Sequence, residues 1–315
     1  MDNSQEIIIF GHNDLDQMGC SLNIEYKFPT VQKKYFHTNY YNIPERITEI
    51  INYTEQNNIK HILITDVTFS VNKDSLMRLY ELTNNGVHLT LIDHHMQSEG
   101  FFDDMSNMKV IHDTTKSATK LCFEYFSNSG NPNLEKLTYI IDVYDLWQKN
   151  DVIFDFSQDL NNYFWEVNDI TQLTKDIVAN GYKLPTNFKT VVNEINEKCR
   201  TTVEDFESRK LIQRSDGITL CFIDEYFNHV MLNEMKNGQN FVIGINSYGV
   251  IRVRIRQEAP FGDDKINKLR ELLTGNAEYG HKYAFTFPLK GNVSFKTLMK
   301  EAQRVVESIE KVFYI

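Results

Sequence analysis

The sequence predicts an α/β protein. It should have an N-terminal parallel-sheet domain with helices on both faces, a helical connector and a smaller C-terminal α/β domain. Three observations carry this. Short apolar runs alternate with helical patterns through the first half, the signature of βαβ units. The middle is polar with helical period, and strand-like runs then return. A chain of 315 residues exceeds one average domain and suits two.

The elements follow in order. "EIIIFGH" (6–12) reads as a strand and "GCSLNIEYKF" (19–28) as a helix. "KKYFHT" (33–38) is a second strand, and "IPERITEIINYTEQNN" (43–58) is a helix with Pro44 in its first turn. "HILITDV" (61–67) is a third strand, and "VNKDSLMRLYELTNNG" (71–86) is a helix stopped by Gly86. "VHLTLIDHH" (87–95) and "MKVIHD" (108–113) complete the sheet, and "SATKLCFEYFSN" and "NLEKLTYIIDVYDLWQKN" are helical. Residues 156–214 read as the connector, with one long helical pattern over 188–214. Residues 215–315 bring three strand candidates, "GITLCFID", "NFVIGINS" and "GVIRVRIRQ", and two helices, "DDKINKLRELLTG" and "FKTLMKEAQRVVESIEKVF". The first domain is placed at 1–155.

Bulk composition narrows the function. A hydrophobic content of 41% and a charged content of 24% are globular values, so a disordered chain is excluded. Cys20, Cys122, Cys199 and Cys221 form no C-x-x-C pair, which argues against a zinc ribbon or a disulfide framework. No run approaches the ~18 apolar residues of a membrane span. "MDNSQEIIIF" lacks the basic start and cleavage site of a signal peptide, so a cytoplasmic protein without a membrane partner is expected. A net charge of −10 repels long polyanions and disfavours a binder of long duplex DNA. A small phosphorylated substrate fits if cations and a few arginines make the site locally positive. An oligomer is left open.

The chemistry concentrates at the carboxyl ends of the strands, where parallel sheets bind ligands. Strand one runs into His12, Asp14 and Asp16, strand three into Asp66, and strand four into Asp93, His94 and His95. "YIIDVYDLW" adds Asp142 and Asp145. A lone strand-end aspartate reads more simply as a helix cap or turn residue. Three such clusters on one sheet edge are harder to explain by caps. Carboxylates with imidazoles suit Mn²⁺, Zn²⁺ or Fe²⁺, and there are too many for one ion. Two ions sharing a carboxylate suit displacement at phosphorus.

These residues resemble the DHH phosphoesterase family. "HNDLDQMGC", "ITDVTF", "LIDHH" and "VYDLW" are similar to its four motifs, and "TTKSATKLCFEYF" to the segment after its fifth strand. "HNDLD" is most like the nano-RNase B branch of oligoribonucleases. The C-terminal part resembles the associated DHHA1 domain, so the likeness spans nearly the whole chain. It implies two divalent ions, most simply Mn²⁺, with His12 and Asp14 on one, Asp16, His94 and Asp145 on the other, and Asp66 between them. Asp93 would orient a histidine. His95 would contact the phosphate or protonate the leaving oxygen. Asp142 remains a rival to Asp145.

In the second domain Arg252, Arg254 and Arg256 alternate with Val253 and Ile255, so they share one strand face. Arginine forks suit phosphate, although charged residues also protect solvated edge strands. The resemblance points to Arg256 and Arg254, and to Gly280 and His281 in "EYGHKYAFTF", as substrate contacts. The chain departs from the family pattern in two places. Its loop "GNAEYGH" lacks consecutive glycines and adds Glu278, and Gln17 and Met18 stand where relatives often have a glycine. Tyr279 and Tyr283 are candidates for base stacking.

The expected activity is therefore two-metal hydrolysis of short oligoribonucleotides to nucleoside monophosphates. The rivals are a cyclic or linear dinucleotide phosphodiesterase, a 3′-phosphoadenosine 5′-phosphate phosphatase, a single-strand DNA exonuclease, an inorganic pyrophosphatase and, from another class, a non-catalytic nucleotide-sequestering protein. The acidic balance disfavours the DNA exonuclease. The arginine strand followed by "YGH" argues against the pyrophosphatase.

Overall fold

The structure, a computed structural model, describes residues 6–39, 42–70, 72–97, 100–208, 212–215, 217–222, 234, 237–256, 259–275, 283–289 and 293–314. The chain divides into two compact units, residues 1–195 and 196–315. The first holds β1 (Ile7–His12), α1 (Leu15–Lys27), β2 (Lys33–Thr38), α2 (Ile43–Asn57), β3 (His61–Thr65), α3 (Lys73–Tyr80), β4 (His88–Asp93) and β5 (Met108–His112). There follow α4 (Ala118–Phe126), α5 (Pro132–Asp145), α6 (Phe154–Val167) and α7 (Ile170–Ala179). The division falls within α8 (Phe188–Ser208).

The first sheet is parallel throughout, in the order β2-β1-β3-β4-β5. Its central strands are apolar on both faces because helices cover both. Ile8, Phe10, Ile62, Ile64 and Leu91 pack with Ile47 and Ile50 of α2 and Leu76 and Leu79 of α3. Ile7, Ile9, Leu63 and Ile92 face Cys20 and Ile24 of α1 and Leu121 and Cys122 of α4. Each such side chain contributes about 1.5–3 kcal/mol on burial. A further helical layer lies over α1. Leu15, Met18 and Leu22 pack with Leu137 and Ile141 of α5, Leu160 and Phe164 of α6 and Leu173 and Ile177 of α7. Residues 154–179, read in the sequence as the start of a connector, thus share a core with the sheet's own helices.

α1 starts four residues earlier than its apolar pattern suggests, because Asp14 caps it by accepting the Gln17 amide. The long helical pattern also overran. α8 ends at Ser208, and Ile212–Ser215 is a strand, β6, whose only buried residue is Ile212. A four-residue edge strand with three exposed polar positions leaves almost no period-two signal.

The second unit holds β6, β7 (Ile218–Phe222), β8 (Phe241–Ile245), β9 (Val250–Ile255), α9 (Asp263–Thr274), β10 (Ala284–Pro288) and α10 (Phe295–Phe313). Its sheet runs β10-β9-β8-β7-β6, with β7 and β8 parallel and the other pairs antiparallel. Ile251, Val253 and Ile255 pack with Leu269 of α9 and Val305 and Ile309 of α10. Arg252 and Arg254, at the intervening positions, belong to the opposite face. No helix among the described residues is long and apolar enough to cross a membrane.

Candidate metal centre

Strand register gathers the site. Gly11 of β1 pairs with Thr65 of β3, and Thr65 with Ile92 of β4. The next positions on these three strands are His12, Asp66 and Asp93, one row across the carboxyl edge of the sheet. Asp66 turns out of β3 in a left-handed conformation, φ 56°, while its amide still donates to the Ile92 carbonyl at 3.0 Å. Aspartate tolerates this region better than most residues, and such backbone strain concentrates at functional sites.

Two groups of three side chains result. His12, Asp14 and Asp66 offer ligand atoms within 4.8 Å of one another, and so do Asp16, His94 and Asp145. Asp66 also groups with His94 and His95. His94 Nε2 joins the sets, lying 3.4 Å from Asp145 Oδ2, 3.5 Å from Asp66 Oδ1 and 3.7 Å from Asp16 Oδ2. The acids and imidazoles are held from behind. Asp16 accepts the Ala118 and Thr119 amides at 2.8 and 2.9 Å, at the N-terminus of α4, where the helix dipole favours an anion. His12 Nδ1 lies 2.6 Å from Asp14 Oδ2, and His95 Nδ1 2.8 Å from Asp93 Oδ1. His112 of β5 donates through Nε2 to the His95 carbonyl at 2.6 Å.

The structure separates the two acids of α5. Asp145 lies with His94, whereas Asp142 accepts the Ser117 amide at 2.8 Å. In the second unit, Arg252 and Arg254 lie on β9 and Arg256 follows it. The Arg256 Nε is buried with no hydrogen-bond partner, and burial lowers the Arg252 pKa. Gly280 and His281 lie outside the described residues, as do Glu278 and Tyr279. The α4 amides and His112 were not singled out from the sequence. Ser117, a helix cap ahead of an apolar pattern, was the available signal for the first. A lone strand histidine carries no local signal for the second.

The electrostatics fit a cation. Burial raises Asp66 well above the ordinary carboxylate range, and the Asp14, Asp16 and Asp145 charges push it further. Burial likewise raises Asp145 and Asp16, outweighing the pull of His94. For Asp14 and Asp93 burial is overcome by His12 and His95, and both are lowered. Burial opposes a charge on His94, but Asp145 and Asp16 outweigh it and raise its pKa. Asp66 Oδ2, Asp93 Oδ2 and Asp145 Oδ2 are buried without hydrogen-bond partners. Crowded carboxylates with unsatisfied oxygens are the donor set of a hard or borderline divalent ion.

Gln17, at the departure from the family pattern, fills the space over Gly11. It accepts the Thr65 hydroxyl at 2.6 Å and is fully buried. A Cβ on Gly11 would stand 2.0 Å from Gln17 Cδ. Gly11→Ala is therefore expected to destabilise the protein by about 1–3 kcal/mol through overpacking, read as a lowered urea midpoint. An unchanged midpoint would show that Gln17 can move aside freely.

No protein-family model and no curated protein matches the chain. Solved structures do. An exonuclease RecJ bound to manganese superposes with a TM-score of 0.62 at 15% identity, covering 98% of this chain and 91% of that one. RecJ in complex with Mn²⁺ from Thermus thermophilus gives 0.61 at 15% identity, over 98% of this chain and 52% of that one. The pGpG-specific phosphodiesterase PggH from Vibrio cholerae gives 0.54 at 13%, over 96% and 98%. At these identities the likeness is one of fold. That fold, a parallel sheet with helices on both faces and a second mixed sheet, is the architecture the sequence predicts.

Proposed function

We propose that this protein is a two-metal phosphodiesterase that hydrolyses short oligoribonucleotides to nucleoside monophosphates. The observation that supports it best is the pair of largely enclosed ligand groups joined by His94, 3.5 Å from Asp66. His12 and Asp14 would hold one divalent ion, Asp16, His94 and Asp145 the other, with Asp66 shared. Mn²⁺ is the preferred ion, in keeping with the donor set and with the RecJ structures bound to it. Bound ions would supply Lewis-acid polarisation of a phosphoryl group and activation of water near neutral pH.

The chain's own residues do the rest. Asp93 orients His95 by accepting from Nδ1, so that Nε2, when it carries a proton, would donate it to a phosphoryl oxygen or to the leaving oxygen. His112 fixes the backbone of that same histidine. Asp16 is aimed by the α4 amides. Arg254 and Arg256 provide phosphate contacts on the second unit, with Gly280 and His281 as further candidates.

The named activity of PggH supports a second reading, a linear dinucleotide phosphodiesterase. One experiment compares them. Purified protein is incubated with 5′-labelled RNA of two to five nucleotides, pGpG, a cyclic dinucleotide and 3′-phosphoadenosine 5′-phosphate, with Mn²⁺ or EDTA. Mn²⁺-dependent mononucleotide release across the RNA series is expected. Cleavage confined to pGpG selects the second reading. Stoichiometric binding without turnover on every substrate sinks both and points to sequestration.

A further inference from the structure

Gln17 has no accessible surface, so it meets neither solvent nor a substrate directly. Any residue but proline at this position could give its backbone amide to Asp14, 3.1 Å away, as part of the α1 cap. The side chain does something else. Gly11 of β1 and Thr65 of β3 are partners in register, and each comes immediately before a candidate ligand, His12 and Asp66. The Gln17 amide group lies against Gly11, where a Cβ would stand 2.0 Å from its Cδ and Oε1. From there it reaches Thr65, whose hydroxyl donates to Oε1 at 2.6 Å.

The network leaves this amide one orientation. Ser21 donates its hydroxyl to the Gln17 carbonyl at 3.1 Å, so its oxygen is left to accept from Nε2, 3.4 Å away. Oε1 therefore faces Thr65. Thr65 and Ser21 are buried with Gln17, which shields these bonds from water. The bond to Thr65 pins the chain one residue before Asp66 enters its left-handed turn, a conformation that persists where its surroundings over-determine it. The contact on Gly11 holds β1 at the same level. One side chain of α1, the helix capped by Asp14, thus spans the two strand ends that carry His12 and Asp66. Those three residues are one ligand group. The other group is aimed differently, Asp16 by the α4 amides and Asp145 from the end of α5.

We propose that Gln17 is a positioning residue for the His12–Asp14–Asp66 group, setting the spacing of these ligands and so the affinity of one of the two ions. This rests on the two-metal reading for the ions themselves and is independent of the substrate.

The test follows Mn²⁺ binding by calorimetry and electron paramagnetic resonance in the wild type, Gln17→Met, Thr65→Val and Ser21→Ala. Met keeps the length that fills the space over Gly11 and removes the amide; Val keeps the shape of Thr65 and removes its hydroxyl. Each should weaken one ion about 10–100-fold, the range for losing an outer-shell partner, and leave the other near its wild-type affinity. Either variant decides if the other does not fold. The spectrum at one ion per chain should match that of His12→Ala and differ from that of Asp145→Asn, which disables the other group. Ser21→Ala loses a bond of the same network away from both strand ends and should bind both ions as the wild type does. A merely structural Gln17 would lower Tm in EDTA and leave both affinities unchanged. That result overturns the proposal, as does equal weakening of both ions. A wild type that holds fewer than two ions overturns it together with the two-metal reading. If the ions bind as expected and no short RNA or dinucleotide is cleaved, the proposal stands and only the phosphodiesterase reading falls.

Discussion

Replacing His94 with alanine is expected to lower the proposed Mn²⁺-dependent cleavage of a short RNA by more than the ~10–100-fold that loss of a residue merely supporting a metal ligand costs. Its Nε2 lies within 3.7 Å of Asp16, Asp66 and Asp145, so it is the imidazole that touches both ligand groups. Its removal leaves three buried acids facing one another without the histidine that offsets them. The loss should appear in kcat, and bound manganese measured by elemental analysis should fall with it. A tenfold loss or less with full metal content would remove His94 from the centre.

The second large effect is on stability. Without metal, burial and neighbouring carboxylates keep Asp66 protonated well above the ordinary range, and Asp145 behaves alike. The folded state then binds more protons than the unfolded state. The stability these two groups contribute is fully present below about pH 4 and is lost as pH rises through their folded pKa values. Asp14 and Asp93 have the opposite sign: their contribution is present above that range and disappears on stronger acidification. A divalent ion such as Mn²⁺ held by Asp66 and Asp145 would take the place of those protons, so its stabilisation is expected to grow with pH. At a hundredfold excess over Kd, the expected ~2.7 kcal/mol corresponds to a rise of about 5–10 °C in Tm at pH 7.5. The shift should shrink towards zero near pH 5. Scanning calorimetry with Mn²⁺ or EDTA at both values measures it, and a Tm indifferent to Mn²⁺ at pH 7.5 would mean that the acids hold no ion.

The parallel sheet was legible because buried strands and amphipathic helices obey local periods. "HILIT" and "HLTLID" are strands for the reason their apolar residues suggest, burial between two helical layers. The grouping of His12, Asp66 and Asp93 followed from one rule about strand ends. What escaped depends on contacts between residues far apart in sequence. The α4 amides reach Asp16 across more than a hundred positions, and no spacing announces that. His112 is a single histidine in a strand, and only its register with Asp93 brings it to the His95 carbonyl. β10 is absent from the strand candidates, because its short run "AFTFP" adjoins the glycine and histidine that drew attention.

The grip of α4 on Asp16 also bears on the order in which the protein can become active during synthesis. A nascent chain that has emerged as far as His95, two residues past β4, already carries His12, Asp14, Asp16, Asp66 and both histidines of the triplet. It lacks the amides that aim Asp16 and the α5 carboxylate that faces His94. All of the six candidate ligands but Asp145 are therefore present long before the centre can close. Closure waits until α4 and α5 dock on α1, so capture of a metal by this centre would report completion of this unit's helical layer as well as formation of its sheet.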